Sequence, residues 1–184
     1  MLSQIAVFLV DTLFTFFVFL LLARFHFQWL RVPFHNPAGE FVLAATSWLV
    51  MPVRRVIPGL RGYDLPTLLL AWLLQAASLF VQIAIMGGEP RLPAIAAVAL
   101  VDLVRYSIYL LVFAVLVQAV LSWVRTYSPF SPVLEAMTRP FLRPIRRFVP
   151  PLANVDLSPL VLILLLQVLL IPLAELRRLA SGLF

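Results

Sequence analysis

Hydrophobic residues along the chain fall into four long runs separated by polar and proline-rich segments. A helix needs roughly 20 predominantly apolar residues to cross a bilayer. The runs are of about that length or longer, and they contain few charged residues. The pattern predicts an all-α membrane protein with about four transmembrane helices, at positions 5–23, 65–86, 94–121 and 157–174.

Polar and glycine residues mark the ends of the second and fourth predicted helices. Asp64 precedes the second run and Asp156 precedes the fourth. An Asp at this position can accept hydrogen bonds from the first backbone N–H groups of a helix, so we expect both residues to act as N-caps. Gly87 and Gly88 follow the second run and are expected to end that helix.

Two long connections, 24–63 and 125–155, carry amphipathic stretches of their own. We expect each to contain a segment lying in the membrane interface, with its apolar face either in lipid or packed on the spans. In the second connection apolar residues recur every three or four positions and predict one helix face, formed by Leu134, Met137, Phe141, Ile145 and Phe148.

The first connection repeats this pattern with Phe41, Ala45 and Trp48. Prolines interrupt the second connection, because Pro140 and Pro144 each remove a backbone donor and clash with the preceding turn. We therefore expect the second amphipathic segment to be broken or kinked.

Composition supports a membrane location and excludes several kinds of chemistry. Apolar residues make up 63 % of the chain and charged residues 12 %, whereas a soluble domain carries about 25 % charged residues. There is no Cys, which excludes disulfides, thiolate catalysis and Cys-based metal centres. Every basic residue is Arg and the net charge is +6. Because these residues lie mainly between the spans, they favour anionic lipid headgroups over nucleic acid as a partner.

The distribution of Arg also predicts an orientation, since cytoplasmic loops of membrane proteins are rich in basic residues. Both long connections are rich in Arg, and only Arg91, Arg177 and Arg178 lie on the opposite side. We expect the long connections to face the cytoplasm and both termini to lie outside. The Arg residues of the connections are Arg24, Arg31, Arg54, Arg55 and Arg61 in the first and Arg125, Arg139, Arg143, Arg146 and Arg147 in the second.

The two halves of the chain repeat each other. Residues 52–58 read Pro-Val-Arg-Arg-Val-Ile-Pro, and residues 144–150, 92 positions later, read Pro-Ile-Arg-Arg-Phe-Val-Pro. Four further pairs share the offset of 92: Pro37 with Pro129, Thr46 with Thr138, Asp64 with Asp156, and Gln75 with Gln167. Upstream, Trp29 and Trp123 correspond at an offset of 94.

The repeat predicts two units, residues 1–92 and 93–184, each made of a span, an interfacial segment and a span. Because each unit has an even number of spans, both units share one orientation. The repeats are therefore parallel, unlike the inverted repeats of many transporters.

At these residues the chain resembles the YggT family. The second copy matches the family pattern better, because in the first copy Trp48 replaces an expected Pro. The first copy supplies Trp29, Arg31, Asn36, Pro37, Thr46, Pro52, Arg54, Arg55, Pro58 and Asp64. The second supplies Trp123, Arg125, Pro129, Pro132, Thr138, Pro140, Pro144, Arg146, Arg147, Pro150, Pro151, Asp156, Leu157, Ser158 and Pro159, with Ser128 in place of an expected Asn.

The resemblance implies a small protein of the bacterial inner membrane. Relatives in this family are connected with osmotic tolerance and with envelope or division functions, and plastid relatives with assembly of a membrane cytochrome complex. The resemblance thus favours an assembly or homeostasis role over a reaction.

Polar residues inside the predicted spans are the first candidate site, because ionisable groups in a membrane commonly have a function. Asp11 and Asp102 hold near-equivalent places, and Arg105 lies one turn after Asp102. They form either an ion or proton path or a neutralised cluster that holds the repeats together. Amides in the spans, expected to hydrogen-bond between helices or to line a polar pocket, are Gln75, Gln82, Gln118 and Gln167.

The paired Arg residues are the second candidate site. They are interpreted either as topology determinants and lipid-headgroup anchors or as a docking surface for an acidic partner, since the flanking prolines would present two guanidinium groups rigidly. The residues assigned to this site are Arg54, Arg55, Arg139, Arg143, Arg146 and Arg147.

The sequence shows no set of nucleophile, base and orienting residue, and no glycine-rich phosphate loop. We expect no enzyme activity, no cofactor and no metal. The predicted function is a membrane scaffold or assembly factor that contacts anionic lipids and binds other membrane proteins or a second copy of itself. The alternative is a small oligomeric channel or transporter linked to osmotic or ion homeostasis.

Overall fold

The computed structural model describes residues 1–57, 59, 63–124, 128–149 and 156–182, with Trp123 and Val124 as backbone only. Pro58, Arg61, Arg125, Pro150 and Pro151, which the sequence analysis singled out, lie outside the described residues. The chain forms six helices in these ranges: α1 (Leu2–Trp29), α2 (Pro37–Val56), α3 (Leu65–Ile85), α4 (Leu92–Val124), α5 (Ser131–Phe148) and α6 (Ser158–Ser181).

Four of these helices, α1, α3, α4 and α6, are long and apolar enough to cross a membrane. The fold class is therefore confirmed as all-helical with four candidate spans, two in each repeat. The predicted bounds are close, although α1 continues beyond position 23 to Trp29 and so includes Arg24. Chain connectivity places α2 and α5 at one end of the bundle, called here the α2/α5 end. The turn between α3 and α4 lies at the other end.

Glycines shape two tight backbone positions. Gly87 follows α3 with φ of +78°, the left-handed region that favours glycine, and Gly88 N–H donates to the Ile83 carbonyl at 3.0 Å. The predicted end of α3 at this glycine pair is confirmed. At the start of α2, a Cβ on Gly39 would lie 2.8 Å from Phe34 Cα, so the chain comes too close for a side chain there.

The face predicted on α2 packs on the bundle only in part. Phe41 and Trp48 are exposed, Ala45 is half-buried against the core, and the buried positions of the helix are Gly39, Val42, Thr46 and Val50. The two alternatives, exposure and packing on the spans, therefore both occur on this face, and the Trp48 ring contacts Phe17 edge-on at 6.1 Å. Both sides of α2 carry apolar residues. The side that packs inward is the one with Thr46, which accepts a hydrogen bond from Arg24 of α1.

The face predicted on α5 packs in part on the spans. Leu134 and Met137 are buried with Phe27 of α1 and Ala114 of α4, while Phe148 at the end of the face is exposed. Leu142, outside the predicted face, is buried against α4 and α6. The two alternatives for this face, packing on the spans and exposure to lipid, therefore apply to different parts of the helix. A sequence pattern alone cannot distinguish them, because both kinds of position carry apolar residues.

The prolines of α5 do not break it. Pro140 and Pro144 lie inside one continuous helix from Ser131 to Phe148, so of the two expected effects, a break or a kink, the break is wrong. Pro52 lies inside α2 in the same way. A proline costs a helix one backbone hydrogen bond, and packing of the apolar face on α4 and α6 compensates for that loss.

Candidate functional site

A buried carboxylate, Asp64, lies just before α3 at the α2/α5 end of the bundle. It is 1 % exposed and accepts two hydrogen bonds from Arg54 at the end of α2. Arg54 Nη2 lies 2.5 Å from Asp64 Oδ2, and Arg54 Nε lies 3.3 Å from Asp64 Oδ1. Thr67 Oγ1 donates to the same carboxylate at 2.5 Å. Asp64 holds the N-cap position but makes no side-chain capping bond, so the predicted role as N-cap is wrong. The carboxylate binds Arg54 in place of the helix backbone.

A second arginine, Arg24, joins this cluster from α1. It is 3 % exposed, and its Nη1 donates to Thr46 Oγ1 of α2 at 2.8 Å. Its Nε lies 3.9 Å from Asp64 Oδ2. Arg24 therefore connects three helices, α1, α2 and α3, around one carboxylate. From the sequence, Arg24 was expected only to help set the orientation, because a lone Arg at the end of an apolar run is typical of a topology signal.

The second repeat contains the same contacts in a more open form. Arg146 lies 2.9 Å from Asp156, and the Ser158 backbone N–H donates to Asp156 Oδ1 at 2.9 Å. The side chains of Arg146 and Asp156 are 50 % and 39 % exposed, respectively. Burial raises the pKa of Asp156, but the hydrogen bonds from Ser158 and the charge of Arg146 outweigh it and hold the pKa below its ordinary value.

Gln118 takes the place of Arg24 in the second repeat. The two residues are 94 positions apart, the offset that also relates Trp29 to Trp123. As Arg24 binds Thr46, Gln118 Oε1 accepts a hydrogen bond from Thr138 Oγ1, the residue equivalent to Thr46. Thr46 Oγ1 also donates to the Val42 carbonyl, four residues earlier, and Thr138 Oγ1 shares its single proton between Gln118 Oε1 and the Leu134 carbonyl. The repeat offset was the signal that could have identified Arg24.

These contacts separate the paired arginines into two groups. The first of each pair, Arg54 and Arg146, ties the end of an amphipathic helix to the start of the next span. The second of each pair, Arg55 and Arg147, is exposed. The pairs therefore do not present two free guanidinium groups side by side, as the sequence analysis had allowed.

An exposed arginine face remains on α5. Arg139, Arg143 and Arg147 follow one another at intervals of four, on one side of the helix, and all three are exposed. Among the described residues, no carboxylate lies within 4.0 Å of any of them. Arg143 and Arg147, with Pro140 and Pro144, line a shallow cleft of about 380 Å³.

The intramembrane charges cluster toward the end of the bundle that carries the α3–α4 turn. Asp102 is 1 % exposed and accepts hydrogen bonds from Arg177 Nε at 2.6 Å and from Arg105 Nη1 at 3.1 Å. Gln75 Nε2 donates to its other oxygen at 3.1 Å, which joins α3 of the first repeat to α4 of the second. Arg177 was expected only as a charge at the end of a span. It lies 75 residues from Asp102 along the chain, so sequence spacing could not predict the contact.

Asp11 does not hydrogen-bond to the described residues around Asp102, although its charge is felt by Arg177 of that cluster. It is exposed on α1 and accepts a hydrogen bond from Gln82 Nε2 at 3.1 Å, while Gln82 also donates to Ser78 Oγ at 2.8 Å. Gln167 on α6 is exposed and forms no hydrogen bond with any described residue. The structure thus brings Asp102, Arg105 and Gln75 together but leaves Asp11 and Gln167 on the outside of the bundle.

Three buried polar atoms, Gln75 Oε1, Arg105 Nε and Thr15 Oγ1, make no hydrogen bond of good geometry among the described residues, although the Tyr106 hydroxyl lies close to Thr15 and Gln75. Such atoms in a protein interior are commonly satisfied by water. In the part of the chain that the structure describes, no group of three or more His, Cys, Asp or Glu residues is arranged to hold a metal ion.

Comparison with known proteins identifies the relatives of this chain. A family model described as CCB3/YggT matches it twice, over residues 3–85 and 97–177. The protein YggT of Escherichia coli K12 is 36 % identical over 176 residues, which cover 95 % of this chain and 92 % of the relative. A Vibrio alginolyticus protein described by its position in the proC 3′ region is 36 % identical over 163 residues, 87 % of this chain and 88 % of the relative. No solved structure matches.

Proposed function

The chain belongs to the CCB3/YggT family, and from that premise we propose that it is a non-enzymatic scaffold or assembly factor in the bacterial inner membrane. Four apolar helices anchor it in the bilayer. Its α2/α5 end faces the cytoplasm, since both Arg-rich connections lie there. The partner is the acidic cytoplasmic surface of another membrane protein, and anionic lipid headgroups surround the contact.

The observation that carries this proposal is the exposed arginine face of α5. Three guanidinium groups, those of Arg139, Arg143 and Arg147, lie on one side of the helix with no carboxylate partner among the described residues. An Arg fork binds carboxylate or phosphate through two parallel hydrogen bonds. A row of unpaired forks therefore favours an extended acidic surface over a single small ion.

Support for a rigid docking platform comes from the way α5 is held. Leu142 is buried against α4 and α6, and Thr138 is bonded to Gln118 of α4. Arg146 links the end of the helix to Asp156 at the start of α6. A preorganised surface loses little conformational freedom when it binds, which raises affinity without added contacts.

The alternative function is a small oligomeric channel or transporter connected with osmotic or ion homeostasis. The buried polar atoms Gln75 Oε1 and Arg105 Nε favour it, because their side chains bind Asp102 and they border a site that water could occupy inside the membrane region. Against it, Asp102 is neutralised by two arginines, Arg105 and Arg177. Paired charges of this kind also occur as structural links between helices.

The test is purification from native membranes in mild detergent, with copurified proteins identified by mass spectrometry. Wild type is compared with the triple variant R139Q/R143Q/R147Q, and with R178Q, which removes an exposed Arg at the opposite end of the bundle, as the control. We expect a membrane partner that is lost in the triple variant and retained in the control.

Two other outcomes would contradict the scaffold proposal. Retention of every copurified protein in the triple variant would show that the arginine face binds no protein. Ion flux in liposomes that disappears in D102N but not in the triple variant would assign the function to the polar cluster around Asp102.

A further inference from the structure

The two repeats contact each other through α3 and α4. Leu68 and Trp72 of α3 and Leu100 and Val104 of α4 line one apolar groove between these helices. The contact includes two hydrogen bonds: Trp72 Nε1 donates to the Ala96 carbonyl at 3.0 Å, and Gln75 Nε2 donates to Asp102 Oδ2 at 3.1 Å. The last helix of the first repeat thus packs on the first helix of the second.

The equivalent surface of the second repeat is uncovered on α6. At the offset of 92, Leu68, Trp72 and Gln75 correspond to Leu160, Leu164 and Gln167. Leu160, Leu164 and Gln167 are all exposed. Gln167 holds the place of the amide that binds Asp102, yet it has no hydrogen-bond partner among the described residues.

The equivalent surface of the first repeat is uncovered on α1. Asp102 corresponds to Asp11 at an offset of 91, which places Leu9 and Leu13 at the positions of Leu100 and Val104. The difference in burial lies at the carboxylate, since Asp11 is exposed and Asp102 is 1 % exposed, whereas Leu9 and Leu13 are about as exposed as Leu100 and Val104. This offset differs from the 94 found at the end of α1 by three residues, about one helical turn, so the same helix face is retained.

Both uncovered surfaces carry a polar side chain within a candidate span. A carboxylate or an amide facing lipid is costly, and polar side chains in membranes usually bond across helices. Asp11 can accept more hydrogen bonds than the one that Gln82 donates, and Gln167 has two N–H donors. Gln167 on α6 and Asp11 on α1 thus correspond to Gln75 and Asp102, the donor and the acceptor of the hydrogen bond that joins the two repeats within the chain.

We propose that two copies of this chain associate by repeating the contact between α3 and α4, with α6 of each copy packed on α1 of the other and Gln167 bonded to Asp11. Each α6–α1 contact joins two different surfaces, and a two-fold axis relates it to the identical contact made by the other copy, so the complete interface is isologous. It closes when the second copy returns the same contact to the first, which gives a ring of four repeats. The occupant of the exposed face of α6 is therefore a second copy of the chain.

Directed disulfide formation tests the contact, and the chain suits it because it has no native Cys. Chains with L164C and chains with L9C carry different affinity tags, are expressed together and are oxidised in native membranes. These positions correspond to Trp72 and Leu100, which line one groove. We expect a disulfide-linked dimer containing both tags, while L164C alone and L9C alone remain uncrosslinked. The control pair is L164C with F113C, an exposed position of α4.

The polar pair gives an independent measurement. In Q167L the dimer dissociation constant in lipid nanodiscs should rise roughly ten- to a hundredfold, as expected for loss of two interhelical hydrogen bonds in a membrane, one in each of the two α6–α1 contacts. The control for Q167L is L165A, which changes a neighbouring exposed residue of α6 without removing an amide. The proposal would be overturned if the protein stayed monomeric at every protein-to-lipid ratio. It would also be overturned if L164C with L9C crosslinked no more than the control pair, or if L164C alone formed a disulfide-linked dimer.

Discussion

The guanidinium of Arg54 lies 2.5 Å from the carboxylate of Asp64 and joins the end of α2 to the start of α3. The equivalent pair, Arg146 and Asp156, joins α5 to α6 in the second repeat. The two contacts differ in burial, because Arg24 closes the first cluster and Gln118 stands in its place in the second. One motif thus serves as a buried link in one half of the molecule and as a surface link in the other.

This difference predicts unequal effects of removing the two carboxylates. D64N should lower the free energy of unfolding by about 3–5 kcal/mol, because it leaves Arg24 and Arg54 beside a site with no negative charge. D156N should lower it by about 1 kcal/mol or less, since that pair is exposed. Unfolding of both variants in the same detergent measures the difference, and equal losses would contradict the assignment of Asp64 as the buried link.

The depressed pKa of Asp156 predicts a pH dependence of the second link. A carboxylate whose pKa is lower in the folded state stabilises the fold above its unfolded pKa, about 3.9, and this contribution is lost as the pH falls through the folded value. The stability difference between wild type and D156N should therefore be present at neutral pH and disappear in acid below the ordinary range for Asp. A difference that grows as the pH falls would have the wrong sign.

The cluster around Asp102 predicts that D102N is more damaging than D11N. D102N leaves Arg105 and Arg177 in the membrane region without their shared partner, whereas D11N replaces an exposed carboxylate that has one amide donor. We expect a lower folded yield of D102N and a near-normal yield of D11N, measured as monodisperse protein after extraction. Equal yields would show that the cluster does not stabilise the fold.

The close approach at Gly39 predicts a steric effect. A Cβ in G39A would meet the backbone of Phe34, which cannot move aside as a side chain could. Overpacking of this kind costs about 1–3 kcal/mol. G182A is the matched control, because its Cβ would have only ordinary contacts at 3.5 Å. The thermal unfolding midpoint should fall for G39A alone, and a fall of equal size in both variants would contradict the steric explanation.

The candidate sites were only partly predictable from the sequence. Asp102 and Arg105 were paired correctly because they lie one turn apart on a helix, and local spacing is set by helix geometry. Arg177 and Gln75 were not placed beside them, since they come from distant segments brought together by the packing of α3 and α6 on α4. For the same reason Arg54 was expected to be a free surface charge, whereas the structure pairs it with Asp64.

The sequence by itself determined the number of spans, the two-repeat organisation and the end of α3 at Gly87, because these depend on apolar length, repeated residues and local backbone preferences. The tertiary structure alone decided which face of α2 packs inward, that α5 runs unbroken through two prolines, and which arginines are paired. These features depend on contacts between helices far apart along the chain. The energy of such contacts can outweigh local preference, as the continuous α5 shows.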